Sequence, residues 1–220
     1  GLGISQWRTF LWHYMGIHGL LFFLAGSWVA VEVYRRLPRL SSLDQGPPRS
    51  FFDSRRLTVT LALIVAVLAV VLWLRTTALH EWTNVFALSV SMFAVVTLAG
   101  WWLARYKTRE APIQVLLLGM LVLALGIGIG VDFVTAERDI DRMNTVFKFY
   151  LNAWVLYGVV GGVGLWHLWA TGALRWRGMG RWRLAKTPWV ALLVILVLSS
   201  SIFPVLGTRT RIADRFDNNL

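Results

Sequence analysis

Six long apolar stretches separated by polar segments set the pattern of this chain. They cover residues 9–33, 57–74, 83–104, 113–134, 146–170 and 189–206. A helix needs about 20 apolar residues to cross the roughly 30 Å hydrocarbon core of a bilayer, and each stretch meets or approaches that length. The pattern predicts an all-α fold, a polytopic transmembrane helical bundle of about six spans, with residues 1–220 forming a single membrane domain.

Composition agrees with a membrane protein. Hydrophobic residues make up 57% of the chain and charged residues only 15%, whereas soluble domains average about 25% charged residues. The first apolar stretch is too long for a secretory signal and is followed by five more. The chain begins without Met and ends in a polar stretch, so we expect it to be a piece of a longer protein, with the remainder of that protein as its partner. The absence of Cys excludes disulfides and thiol catalysis.

The net charge of +11 is distributed unevenly. Of the 22 Lys and Arg residues, 14 fall in the segments 34–56, 105–112 and 171–188. These segments are alternate loops and must share one side of the membrane, so the positive-inside rule places them in the cytoplasm. We therefore predict a multi-pass protein of the cell membrane with both ends extracytoplasmic. Topology and contact with the lipid bilayer account for the charge, and no nucleic-acid partner is expected.

The segments between spans and the residues at their ends give further expectations. The segment 34–56, rich in Pro and Arg, predicts an irregular connector, and the short loops after the second, third and fourth spans predict antiparallel neighbours. The glycine pairs Gly126 with Gly130 and Gly158 with Gly162 have the spacing that lets membrane helices approach closely. Tryptophans near span ends predict an aromatic belt at both interfaces: Trp7, Trp12, Trp73 and Trp82 outside, and Trp28, Trp101, Trp102, Trp166, Trp169 and Trp189 inside.

The fifth span opens with an unusually polar sequence, DRMNTVFKFYLNAW, at residues 141–154. Asn144, Lys148 and Asn152 follow at steps of four and share one face of a helix. A Lys inside an apolar span is costly unless it snorkels, pairs or lines a wet cavity, and Asn152 lies too deep to snorkel. The pattern predicts a polar stripe that faces the bundle interior or an outward cavity.

Carboxylates precede this stripe, at Asp132, Glu137, Asp139 and Asp141. Such a cluster would suit a divalent cation such as Mg²⁺ or Mn²⁺, with Asp139 and Asp141 as candidate ligands, and one of these carboxylates would serve as a general base. Arg142 and Lys148 would bind a phosphate. The alternative is a solvated, self-paired turn in which Asp141 caps the helix and Lys148 snorkels.

Three further ionisable residues lie in the first span. His13 and His18 are five apart and do not share a face well, so they do not predict a metal pair, although His18 is deep enough to join the same cavity. Glu32 precedes Arg35 and Arg36 by three and four residues, which predicts an ion pair at a helix end.

The stretch RMNTVFKFYLNAW, residues 142–154, closely resembles the signature of the YYY-type membrane proteins, an uncharacterised family of long multi-span proteins. Leu151 and Asn152 stand where that family usually has Tyr and Gln. TRTRIADRF, residues 208–216, resembles the stretch after the following span of that family, while the first 130 residues match by hydropathy alone. The resemblance implies that this chain is the C-terminal half of the family's membrane region.

That family in turn resembles the C-type glycosyltransferase superfamily, whose members take sugars from polyprenyl-phosphate carriers outside the cytoplasm. The resemblance implies a polyprenyl-phosphate lipid as partner, with Arg142, Asn144 and Lys148 near its phosphate and Glu137 or Asp139 as secondary acids. The alternative function is a transporter or a lipid-binding scaffold without catalysis. The polar stripe stops partway along the fifth span, which favours an outward-facing pocket over a translocation path.

Overall fold

The computed structural model describes residues 2–41, 66–74, 76–77, 79–105, 111–136, 143–170 and 182–216. These residues form six helices, one turn of 3₁₀ helix and one pair of short strands. In chain order they are β1 (Leu2–Ile4), α1 (Leu11–Ser41), α2 (66–74), the 3₁₀ turn (His80–Trp82), α3 (Thr83–Arg105), α4 (Ala111–Phe133), β2 (Val134–Ala136), α5 (Met143–Ala170) and α6 (Trp182–Phe216).

Five of the predicted spans are confirmed by length and composition. Helical segments long and apolar enough to cross a membrane cover Leu11–Val33, His80–Leu103, Pro112–Phe133, Met143–Ala170 and Thr187–Arg215. Of the remaining predicted span, 57–74, only residues 66–74 are described, and they are helical. The fold is therefore the predicted all-α polytopic bundle.

Four helices make up the packed core. α3 packs beside α4, and α4 beside α5, which confirms two of the three antiparallel pairs expected from the short loops. The third pair, between the second and third spans, stays a prediction. α1 packs along α5. The two helices run parallel, since Tyr14 near the start of α1 contacts Tyr150 near the start of α5. α6 lies against α1, where the indole Nε1 of Trp189 donates to Ser27 Oγ at 2.9 Å.

Glycines let the helices approach, but they are not the glycines that the spacing suggested. An ideal Cβ on Gly164 of α5 would lie 2.7 Å from Trp28 Cβ, and one on Gly161 would lie 3.2 Å from Leu24 Cβ. One on Gly128 of α4 would lie 2.7 Å from Tyr14 Oη. By contrast, Gly126, Gly130 and Gly162 meet no atom within 4 Å in the described part of the chain, and Gly158 makes only an ordinary contact. The prediction of the packing pairs was wrong.

Two of the tryptophans that were predicted at the inner membrane interface belong to the packed core instead. Trp28 is 1% exposed and Trp102 is 0% exposed, because each packs between helices. Their assignment to the aromatic belt was therefore wrong. Other belt residues have exposed side chains as expected, namely Trp7, Trp12, Trp73, Trp82, Trp166 and Trp169.

Two features at the ends of the spans were not predicted. α1 continues through Ser41, so residues 34–41 are helical rather than part of an irregular connector; residues 42–56 of that prediction lie outside the described residues. At the opposite end of α1, β1 pairs antiparallel with β2, with Leu2 opposite Ala136 and Ile4 opposite Val134. The Ser5 N–H extends the pairing by donating to the Phe133 carbonyl at 2.9 Å. The N-terminal strand is thereby tied to the segment that links α4 to α5.

Candidate functional site

A buried polar network surrounds Asp132 in the last turn of α4. Asp132 is 0% exposed. Its Oδ1 accepts the backbone N–H of Thr9 at 2.8 Å, and its Oδ2 accepts Asn84 Nδ2 at 3.0 Å. A buried carboxylate needs such donors to offset the loss of water. Sequence reasoning placed Asp132 among the acids before the stripe, but both of its oxygens are used to join α1, α3 and α4.

Arg8 closes this network on the side of the strand pair. Its Nη1 donates to the Ser5 carbonyl at 2.8 Å and to the Asp132 carbonyl at 2.7 Å. The guanidinium carbon also lies 4.7 Å from the ring centroid of Trp82 and 5.1 Å from that of Phe133. Arg8 is therefore fixed by hydrogen bonds and cation–π contacts, an arrangement that suits a structural role.

Three tyrosines continue the polar column into the α1–α5 interface. Tyr150 Oη donates to Thr9 Oγ1 at 2.9 Å, and the hydroxyls of Tyr14 and Tyr157 share a hydrogen bond of 3.0 Å. His18 is 0% exposed, and its ring centroid lies 4.6 to 5.6 Å from those of the three tyrosines. Neither ring nitrogen of His18 has a hydrogen-bond partner within the described ranges. His18 is deep, as expected, and packs among aromatic rings.

The acidic loop itself lies outside the described residues, but both of its ends are held. Glu137, Asp139, Asp141 and Arg142 all fall in 137–142. The N–H of Ala136, in β2, donates to Thr145 Oγ1 in the first turn of α5 at 2.9 Å, and this bond fixes the two ends of the loop close to each other. Among the residues with described positions, no group of three His, Asp or Glu side chains could hold a metal ion. The roles assigned to the loop residues stay predictions.

The polar stripe of α5 points away from the packed helices. Asn144, Lys148 and Asn152 are all exposed, while Tyr150 and Tyr157 face α1. Residues two apart on a helix lie about 200° apart around its axis, so Lys148 and Tyr150 point in nearly opposite directions. The prediction of a stripe facing the bundle interior was wrong, because the aromatic and glycine face packs there instead. An outward-facing pocket on this side of α5 stays a prediction.

Within the stripe, the Asn152 side chain makes a hydrogen bond inside α5, whereas the Lys148 side chain is exposed. Asn152 Nδ2 donates to the Lys148 backbone carbonyl at 3.0 Å. The Lys148 ammonium makes no ion pair or hydrogen bond in the part of the chain that the structure describes. Exposed apolar side chains flank it, among them Phe147, Leu151 and Val155. The arrangement presents one cation on an apolar helix face, near the end of α5 that holds the acidic loop.

A second buried polar cluster lies at the opposite end of the bundle and was missed by sequence reasoning. Glu32 of α1 is 3% exposed. Its Oε1 accepts Gln114 Nε2 of α4 at 3.2 Å, and its Oε2 lies 3.3 Å from His167 Nε2 of α5. The side chains of the expected partners, Arg35 and Arg36, lie outside the described residues. The sequence did contain a signal for this cluster. Glu32, Gln114 and His167 are each an isolated polar residue at the end of an apolar span, and all three of these ends lie on the same side of the bundle.

Comparisons with known proteins found one family. No curated protein matches the chain, and no solved structure matches it. The profile of the uncharacterized membrane protein family DUF2298 matches residues 1–157 of the 220. The match contains the signature at 142–154 and the whole region before it, whereas the stretch at 208–216 lies beyond it. The early spans therefore carry more family resemblance than hydropathy alone. The chain belongs to the DUF2298 family of uncharacterized membrane proteins.

Proposed function

We propose that this chain is the membrane part of a glycosyltransferase that takes its sugar from a polyprenyl-phosphate carrier at the extracytoplasmic face. One observation carries the proposal: Lys148 is exposed on the apolar outer face of α5, and it has no protein partner among the described residues. A lysine ammonium acts as a point charge that binds phosphate. A lipid lying along this face would place its chain against Leu151 and Val155 and its phosphate at Lys148.

The neighbouring groups support the same assignment. Asn144 lies one turn before Lys148 on the exposed face, and Arg142 immediately precedes the start of α5. The bond between Ala136 and Thr145 holds both ends of the acidic loop at this end of the helix. Under the proposal, Glu137 or Asp139 in this loop acts on a sugar carried on the bound phosphate.

The proposed reaction is a direct displacement at the anomeric carbon. The acceptor hydroxyl oxygen forms a bond to that carbon, and the bond from the carbon to the phosphate oxygen breaks. The hydroxyl proton passes to Glu137 or Asp139, and polyprenyl phosphate leaves with the electron pair. Lys148 and Arg142 stabilise the charge that develops on the leaving oxygen. A Mg²⁺ or Mn²⁺ ion at Asp139 and Asp141 would supply further neutralisation, and no step here depends on it.

The packing of α1 on α5 argues against a polar path between these two helices. Leu24 meets Gly161 and Trp28 meets Gly164 between the two buried polar clusters, so the interface is closed by tight apolar contacts. A transporter would need its path elsewhere. A scaffold would use the exposed stripe of α5 for contact with another helix, and the experiment below separates that use from catalysis.

The test is donor turnover by the full-length protein in membranes. A panel of radiolabelled polyprenyl-phosphate hexoses is supplied, and release of polyprenyl phosphate is measured. Lys148→Met should lower turnover by about 10²-fold, the typical effect of losing one group that stabilises an oxyanion. Lys148→Arg should retain part of the activity. The matched control is Arg211→Met, which removes one exposed cation from α6 and should leave turnover unchanged.

Wild-type turnover in Lys148→Met would contradict the proposal, as would the absence of turnover with every donor in the panel. Photolabelling with a diazirine analogue of polyprenyl phosphate separates binding from chemistry. Under the proposal, Lys148→Met loses the label on α5 together with turnover. A lipid-binding scaffold would show the label on α5 without turnover in the wild type, and a scaffold that only contacts another helix would show neither.

A further inference from the structure

A small apolar cavity lies among α1, α3 and α4, away from the polar stripe of α5. Its volume is about 150 Å³. The apolar lining consists of Phe22, Gly26 and Val29 from α1, Val95 from α3, and Leu121 and Leu125 from α4. α5 contributes no residue to this lining, so the cavity is separate from the site proposed above.

The chemistry of the lining excludes ordered water. Ser91 is the single polar residue among the described lining residues, and its Oγ already donates to the Ala87 carbonyl at 2.8 Å. A buried water needs about two to four polar partners, whereas an apolar cavity of about 150 Å³ stays dry and binds a molecule the size of benzene. The cavity therefore suits an apolar group of about six carbons.

The depth of the cavity in the bilayer indicates which apolar group occupies it. Phe22 follows the start of α1 by eleven residues, or roughly 16 Å at 1.5 Å per residue, which is about halfway across a 30 Å hydrocarbon core. The cavity opens at Gly26, which is exposed and whose ideal Cβ would meet no atom within 4 Å. At this depth the surroundings of an embedded helix are lipid chains.

We infer that this cavity binds one acyl chain of a bilayer phospholipid. A phosphatidylcholine-type phospholipid, whose zwitterionic headgroup needs no protein cation, is favoured over a polyprenyl phosphate because Arg8, the cation just before α1, already donates to backbone carbonyls and stacks on Trp82. It does not offer a phosphate site above the cavity. This inference does not depend on the glycosyltransferase proposal.

The test is photolabelling of the full-length protein in nanodiscs of phosphatidylcholine with a diazirine at the middle of one acyl chain. Labelled peptides are mapped by mass spectrometry. The expected label lies on peptides containing Phe22, Ser91 or Leu121. Gly26→Leu fills the cavity from α1, and Ser91→Leu fills it from α3. Each variant should lose the label at this site while retaining its label elsewhere.

The matched control is Gly16→Leu, which adds the same side chain to the same helix at another exposed glycine with no atom within 4 Å of its ideal Cβ. It should keep the wild-type label. Because two filling variants approach from different helices, misfolding of one leaves the test intact. A label that persists in both would overturn the inference. So would a wild-type cavity without label, as expected if another part of the chain covers it, or a label displaced by polyprenyl phosphate and not by phosphatidylcholine.

Discussion

The carboxylate of Asp132, at the end of α4, accepts the backbone N–H of Thr9, which lies 123 positions earlier in the chain. The same carboxylate accepts the amide of Asn84 at the start of α3. One buried side chain therefore holds the starts of α1 and α3 to the end of α4. This junction lies directly beneath the strand pair that leads into the acidic loop.

Removal of this carboxylate should destabilise the bundle strongly. Asp132→Ala leaves the Thr9 N–H and the Asn84 amide buried without this acceptor, and each buried donor left unsatisfied costs about 1 to 3 kcal/mol. Asp132→Asn keeps the shape and one acceptor oxygen, so its loss should be smaller. Thermal unfolding of the purified protein in detergent, followed by tryptophan fluorescence, checks both. Equal stability of Asp132→Ala and wild type would contradict the assigned role.

Gly164 should tolerate no side chain, whereas Gly162 on the same helix should accept one. Alanine at 164 would bring a methyl group within 2.7 Å of Trp28 Cβ, and overpacking of this kind costs about 1 to 3 kcal/mol. Alanine at 162 meets nothing within 4 Å in the described part, and replacing a helical glycine stabilises by up to about 1 kcal/mol. The two variants should therefore shift the midpoint of thermal unfolding in opposite directions. A shift in the same direction would contradict the α1–α5 packing.

His18 should be replaceable by phenylalanine but not by alanine. Its ring nitrogens have no hydrogen-bond partner within the described ranges, so it contributes through packing among Tyr14, Tyr150 and Tyr157. Replacing a polar group by an apolar one of similar shape is nearly neutral or stabilising. Truncating a large buried ring costs about 3 to 5 kcal/mol. Equilibrium unfolding of the two variants separates this packing role from a polar one, for which His18→Phe would be as damaging as His18→Ala.

The buried cluster of Glu32, Gln114 and His167 should behave as one coupled unit. Glu32→Ala leaves Gln114 and His167 without their shared carboxylate, and His167→Ala removes one partner of Glu32. Groups in one buried network show interaction free energies of about 0.5 to 3 kcal/mol in double-mutant cycles. The free energies of unfolding of the two single variants and the double variant measure that coupling. Simple additivity would show that Glu32 and His167 act independently.

The sequence predicts the spans because the hydropathy of each span depends only on its own residues. The sequence does not show which polar groups are buried. Asp132 lies one residue before the end of α4, where an acid is normally solvated. Its burial depends on the segment before α1 folding back over β2, a contact across more than a hundred residues. The alternative that placed Lys148 toward the bundle interior was wrong for a similar reason, because it considered the cost of a charge in lipid and not the face of α5 that α1 requires.

The spacing of the glycines likewise does not show which of them contact a neighbouring helix. GIGIG in α4 and GVVGGVG in α5 each offer more than one spacing for close packing. The bulky residues opposite decide which glycines are used, namely Tyr14 for Gly128 and Trp28 for Gly164. Those residues lie on α1, and the pairing of α1 with α5 is not evident from either sequence alone.

The central claim, that the end of the bundle with the acidic loop and Lys148 faces outside the cytoplasm, is tested most directly by labelling both ends of α5. Because these 220 residues contain no Cys, Met143→Cys and Ala170→Cys, both at exposed positions, place one thiol at each end of the same helix. Intact cells are treated with a membrane-impermeant maleimide, and lysed cells are the control. Labelling of Cys at 143 in intact cells, with Cys at 170 labelled only after lysis, is the predicted result. The reverse pattern would place the stripe in the cytoplasm and contradict the proposed use of an extracytoplasmic sugar donor.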